Sequence, residues 1–166
     1  MILLGTVAFV SNGFLPSPID KMFIVIQALV FALGSLAIAK SGAIYASFVN
    51  GILLSIFRAG FFPFSLLFSL FYGLLIDVAF QTLKVNRGNN IKAKTLVFSL
   101  ALVTGITGVV SMFLTTTLGL IPMVTTMYFG IIVVGVLNGV VAGYLTLFIW
   151  KRYLSRFLGE NLDGTL

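Results

Sequence analysis

Apolar residues run through this chain in six blocks, 1–14, 22–39, 43–57, 61–83, 95–117 and 127–150, with Pro, Gly and charge as the punctuation between them. A membrane-spanning helix needs about 20 apolar residues, so the pattern predicts six such helices in succession. The first and third blocks are short for a span, and serve if they tilt little or are buried by neighbours. Only Lys40-Ser41-Gly42 separates the second block from the third, which predicts a tight helical hairpin with glycine near a C-cap. Residues 81–94 form the one extended polar stretch, with Asn86, Gly88, Asn89 and Asn90 set between basic residues.

The basic residues orient these helices. With the N-terminus cytoplasmic, one side receives Lys40, then Lys84, Arg87, Lys92 and Lys94, then Lys151, Arg152 and Arg156. That is eight of the ten, and the other side keeps Lys21 and Arg58. Six spans with both ends inside satisfy the positive-inside rule, whereas five would divide the basic segments between the two sides. Trp150 and Tyr153 fall at the inner end of the last helix, where interfacial aromatics belong. The first block has no basic leader, and Gly13 to Pro16 is a weak match to a cleavage site. It reads as a span rather than a signal peptide. The expectation is an all-α membrane protein, a bundle of six transmembrane helices with both termini cytoplasmic, forming a single integral membrane domain over residues 1–166.

Composition narrows the function. Hydrophobic residues make up 60% of the 166 and charged residues 8%, against roughly a quarter charged in a soluble domain. There is no cysteine and no histidine, which removes thiolate chemistry and the commonest general base and metal ligand. The carboxylates are Asp20, Asp77, Glu160 and Asp163, and only Asp77 lies within an apolar block. An intramembrane hydrolase or transferase usually needs two cooperating polar groups. No enzymatic activity, cofactor or metal is therefore expected. The net charge of +6 is explained by topology and anionic headgroups, so lipid rather than nucleic acid is the expected contact.

Three irregular segments gather on the outer side under this topology. Residues 11–18 carry Asn12, Gly13 and two prolines; residues 57–64 carry Arg58, Phe61, Phe62 and Pro63; residues 115–128 carry Thr116, Pro122, Thr126 and Tyr128. Irregular backbone near membrane depth is tolerated when packed in protein or lining a wet cavity. Aromatic walls with a few polar groups are also the makings of a small-molecule pocket. Asn12, Arg58, Phe61, Phe62, Thr116, Thr126 and Tyr128 are accordingly the candidate substrate-binding residues. An aromatic belt with helix breaks is the structural alternative, and Arg58 either snorkels to headgroups or faces an anionic ligand.

Polar residues inside the blocks read as helix contacts. Asn50 shares a face with Ala43, Ala46 and Ser47 and should look into the bundle. Asn138 stands among Gly135, Gly139 and Gly143, a spacing that lets two backbones touch. Asp77, at the end of the fourth block where the helix dipole disfavours a carboxylate, is expected to pair with Lys40 or Lys84.

The layout as a whole resembles the S components of energy-coupling factor transporters. The features that carry the resemblance are six short spans, a Pro-containing first loop, the Lys40-Ser41-Gly42 hairpin, the Phe62-Pro63-Phe64 entry into a helix bearing Gly73 and Asp77, and a Gly-rich last helix running into Lys151-Arg152. The resemblance covers nearly the whole chain as a pattern of lengths and punctuation. It implies a subunit that captures a vitamin at the outer face, in a pocket made by the first loop and the outer halves of later helices. Its implied partners are a transmembrane T component and two cytoplasmic ATPases. The family's Ala-xxx-Ala docking notch belongs on the first span; here Gly5 and Ala8 stand there, and Ala28 with Ala32 form such a notch on the second.

The expected function is thus substrate capture for a vitamin or small-nutrient uptake system, driven by partner ATPases because the chain has no Walker motif. A small channel or exporter would call for a continuous polar stripe. A membrane assembly subunit would leave the outer pocket empty and apolar.

Overall fold

The computed structural model of the chain describes residues 1–13, 24–38, 41–57, 63–87, 90–117 and 125–154. Over these the architecture is all-α apart from one small hairpin. Six helices follow one another: α1 (Ile2–Gly13), α2 (Ile24–Ala37), α3 (Gly42–Phe57), α4 (Phe64–Thr82), α5 (Ala93–Thr117) and α6 (Thr125–Ile149). Strands β1 (Asn86–Arg87) and β2 (Asn90–Ile91) pair antiparallel between α4 and α5, and Trp150–Leu154 extends α6 as a π-helical turn. Helices lie where the apolar blocks predict them, with ends shifted by at most three residues.

Three of these helices are long and apolar enough to cross a membrane, over Phe64–Thr82, Ala93–Leu114 and Phe129–Leu154. With 12, 14 and 16 residues, α1, α2 and α3 are shorter. At 1.5 Å per residue they reach only about 18–24 Å, against a hydrocarbon core of about 30 Å. The short second helix was not foreseen: the chain leaves helical conformation at Ile38.

The surface is inverted relative to a water-soluble bundle. Ile2, Leu3, Phe98, Phe129, Leu137 and Tyr144 are all more than half exposed, while Ser47, Asn50, Ser99 and Thr146 are fully buried. Apolar atoms outside and hydrogen-bonded polar atoms inside is the arrangement that a hydrocarbon solvent selects. Together with the three long apolar helices, it marks the chain as a membrane protein.

Contacts between the helices fix their directions. Gly5 of α1 lies against Ala46 and Val49 of α3, and Phe9 against Phe57, so α1 and α3 run parallel. Between α3 and α4 the order is reversed: Gly51 meets Leu66 and Ser69, Ser47 meets Gly73, and Ala43 meets Asp77. In the α5–α6 pair Gly108 faces Ile131, Gly139 faces Ala101 and Gly143 faces Val97, again antiparallel. Successive helices therefore alternate. Met1, the start of α3, the β-hairpin and Trp150–Leu154 share one end of the bundle, and the last turns of α1, α3 and α5 with the first turns of α2, α4 and α6 lie at the other.

Small residues set how closely these helices approach. Ala43, Ser47, Gly51 and Ser55 on α3, and Ser65, Ser69, Gly73 and Asp77 on α4, recur at every fourth position. Such rows form one narrow face of a helix, along which two backbones can come together. On α6, a Cβ added at Gly139 would stand 2.5 Å from both Cα of Ala101 and the Leu100 carbonyl oxygen. Gly42 behaves differently from expectation. It opens α3 instead of capping α2, and a Cβ there would run into the Gly34 carbonyl, so glycine is required for the hairpin to close. Ala28 and Ala32 are fully buried and belong to the core, so the notch on the second helix is filled from within the chain.

Candidate functional site at the less packed end

Fully buried residues are distributed unevenly along the bundle axis. At the end that holds the hairpin, residues 30–36 of α2, Ile76, Asp77 and Phe80 of α4, Val85, Leu96, Thr146 and Leu147 are all buried. Toward the opposite end, residues 24–27 of α2, 52–57 of α3, 63–68 of α4 and 129–134 of α6 contain no buried residue. In α5, Met112 is the one buried residue described beyond Thr107. Helices α2 to α6 are knit tightly over one half of their length and loosely over the other, whereas α1 is buried at Gly5, Ala8 and Phe9 and not over its first four residues. The helix ends that carry Asn12, Thr116, Thr126 and Tyr128 lie at the loosely packed end.

Among the seven candidates the structure describes the side chain of Thr116. It is half-buried near the end of α5, and its hydroxyl is shared between the carbonyl oxygens of Met112 at 3.0 Å and Phe113 at 2.9 Å. Asn12 lies in the last turn of α1, and Thr126 and Tyr128 in the first turn of α6; their side chains lie outside the described residues. Arg58, Phe61 and Phe62, between α3 and α4, also lie outside them. All five helix ends that carry or flank these positions lie at the same end of the bundle.

Below this end lies a polar layer that the sequence reading only half anticipated. Asn50 does look into the bundle and is fully buried, as its small-residue face predicts. Its Nδ2 donates to Ser69 Oγ at 2.8 Å, and Ser69 in turn donates to the Ser47 carbonyl at 2.7 Å. One turn further, the Tyr72 hydroxyl meets Thr104 Oγ1 at 3.1 Å; since Thr104 donates to the Leu100 carbonyl, Tyr72 is the donor of that pair. The ring of Phe31 stands edge-on to Tyr72 with centroids 5.6 Å apart. Ser69, Tyr72 and Thr104 were missed; the four-residue spacing of Ser65, Ser69, Gly73 and Asp77 is a signal for the α4 face that holds Ser69, and Thr104 on α5 had none.

Nearly all hydrogen-bonding capacity in this layer is used internally. Thr107 and Thr146 donate to the carbonyls four residues earlier, and Ser47 to the carbonyl of Ile44. Asn50 Oδ1 is the exception, a buried acceptor with no partner among the described residues. Turning the amide over would move the deficit to the nitrogen and give up the bond that Ser69 accepts. Asn138 is half-buried on α6, and Gly135, Gly139 and Gly143 beside it make the close helix contact that their spacing predicts, with α5 as the partner. A shallow apolar groove of about 350 Å³ also runs between α1 and α2, lined by Leu3, Thr6, Val7, Val10, Ser11 and Ile26. The hydroxyls of Thr6 and Ser11 bond to carbonyls of their own helix, so the groove offers a ligand little to orient it.

Asp77 takes partners other than Lys84, which the sequence offered beside Lys40. Its carboxylate accepts the backbone N–H groups of Ala43 at 3.3 Å and Ile44 at 2.9 Å, and so caps the start of α3. Lys84 is exposed, and Lys40 lies outside the described residues. The unfavourable dipole at the end of α4 is offset by the favourable one at the start of α3. Comparison of the chain with protein families, with curated proteins and with solved structures found no match.

Proposed function

We propose that the protein is the substrate-capture subunit of an uptake transporter for a vitamin or similar small nutrient, binding its solute at the loosely packed end of the bundle. All six helices then cross the membrane, both chain ends are cytoplasmic, and the loosely packed end faces outward at the cell surface. In this arrangement the short helices α1, α2 and α3 are accommodated by their packing on longer neighbours. Energy comes from partner ATPases, coupled through a transmembrane T component.

The observation that carries this reading is the gradient of burial. A bundle sealed over one half and slack over the other can admit a small molecule from one side without opening a path through. The helix ends at the slack half bear Asn12, Thr116, Thr126 and Tyr128, and the α3–α4 connection at that end contains Arg58, Phe61 and Phe62. Aromatic surface supplies stacking area at low entropic cost, and a few polar groups select among ligands. The channel reading is less well supported, because among the described residues the buried hydroxyls of Ser99, Thr104, Thr107 and Thr146 on α5 and α6 donate to their own helix carbonyls.

The test is mass spectrometry of small molecules that co-purify with the intact protein, followed by uptake measurements in cells carrying matching ATPases. A specific vitamin retained by the protein, with uptake that depends on it, is the expected result. No retained vitamin, together with uptake indifferent to the protein, would replace this reading with that of a membrane assembly subunit.

A further inference from the structure

The end of the bundle that carries the hairpin concentrates positive charge, and among the described residues it faces no free carboxylate. Lys84 closes α4, Lys92 precedes α5 and Lys94 sits in its first turn; all three are exposed. They are drawn together by the neck of the hairpin, where the Lys92 amide donates to the Val85 carbonyl at 3.1 Å. The first turn of α5 has no acidic residue, and Asp77, the one carboxylate among the described residues, is occupied by the amides of α3. Lys94 also stands at the positive end of the α5 dipole, where a cation is disfavoured.

Lys84 adds a second, backbone observation. Its φ is +50°, a left-handed conformation that glycine adopts at little cost and lysine does not. A side chain thus stands where backbone geometry favours glycine, and its charge suits the negative end of the α4 dipole. Directly below Lys94, at four-residue intervals along the same helix face, come Phe98, Leu102 and Ile106, all exposed. This column spans 12 residues, about 18 Å of helix, which is close to the depth of one leaflet's acyl chains. A row of cations above an exposed apolar column matches an anionic head joined to an acyl chain.

We propose that this surface holds an anionic phospholipid, its phosphate against Lys84, Lys92 and Lys94 and an acyl chain along Phe98, Leu102 and Ile106. The inference rests on the membrane location alone and is independent of solute capture. Delipidated full-length protein in neutral detergent is given phosphatidylglycerol or phosphatidylcholine, and retained lipid is counted by native mass spectrometry; a third arm receives inorganic phosphate. The wild type should retain phosphatidylglycerol at least about tenfold better than phosphatidylcholine, since each basic residue near an anionic headgroup strengthens binding about fivefold. The variant Lys84→Gln/Lys92→Gln/Lys94→Gln should lose that preference. Lys94→Gln alone should reduce it about fivefold, which keeps the test readable should the triple variant fail to purify. Phe98→Ala should weaken retention of both lipids and leave the preference intact. Equal retention of the two lipids by the wild type, an undiminished preference in Lys94→Gln, or full competition by millimolar phosphate would overturn the proposal.

Discussion

The carboxylate of Asp77, near the end of α4, accepts the backbone N–H of Ile44 at 2.9 Å across the bundle. With the companion bond from Ala43, and with Gly42 and Tyr45 donating to the carbonyls of Ile38 and Ser41, every amide in the first turn of α3 is satisfied. A helix start usually leaves such groups to water. Here one side chain from a different helix supplies both acceptors and a negative charge at the positive end of the dipole.

Replacing Asp77 by Ala should therefore cost about 2–3 kcal/mol, because two charge-assisted bonds are lost and a buried and a part-buried donor are stranded. Asp77→Asn retains one good acceptor and should cost roughly half as much. Thermal unfolding in detergent measures both. Lys84→Gln serves as the control: if Asp77 were held by that lysine, it would be as damaging as Asp77→Ala, whereas capping predicts little loss.

At the α5–α6 contact, Gly139→Leu should destabilise by about 1–3 kcal/mol, since side-chain atoms would occupy space held by the Ala101 backbone. Gly130 lies nine residues earlier on α6, where an added Cβ meets nothing within 4 Å. Gly130→Ala should leave the melting temperature unchanged or slightly raised. Equal tolerance at both positions would show that the close contact does not exist.

The end of α4 offers a stabilising change. Lys84 N–H donates to the Gln81 carbonyl at 3.2 Å and Val85 N–H to the Phe80 carbonyl at 3.0 Å, a Schellman pair closed by burial of Val85 and Phe80. Lys84→Gly should raise stability in lipid-free detergent by about 1 kcal/mol, the cost of a left-handed non-glycine residue. An unchanged or lowered melting temperature would mean that the lysine side chain itself contributes to folding.

Orientation is tested by reporter fusions. Fusions after Gly42, Asn89 and Leu158 should report a cytoplasmic location, and one after Gly119 the outside. An external signal at Asn89 would exclude six spans with both ends inside.

Ligand binding separates the roles of the outer residues. For an anionic vitamin, Arg58→Ala should cost about 2–4 kcal/mol in affinity, through loss of a charge-assisted bond in a partly desolvated site. With a neutral or cationic one, Arg58→Ala should have little effect and Tyr128→Ala should still weaken binding. Titration of each purified variant, followed by intrinsic fluorescence, reads the difference.

The helices themselves were legible in the sequence. Hydrocarbon admits few structures, and a backbone that must satisfy its own hydrogen bonds turns each apolar block into a helix with ends near the next Pro, Gly or charge. The inward faces of α3 and α6 were legible too, because small residues at four-residue spacing have no use toward lipid. For the candidate site the sequence determined which helix ends carry Asn12, Thr116, Thr126 and Tyr128, since alternation follows from the number of blocks between them. Tertiary structure alone decided the rest. Asp77 was judged against the dipole of its own helix, and nothing local could show that its carboxylate reaches the start of another. Gly42 looked like a cap until Gly34 was brought against it. The hairpin at Asn86–Ile91 had a signal in Gly88-Asn89, but burial of Val85 ties it to the bundle. The contrast between a sealed half and a slack half is a property of six helices packed together, and no single helix encodes it.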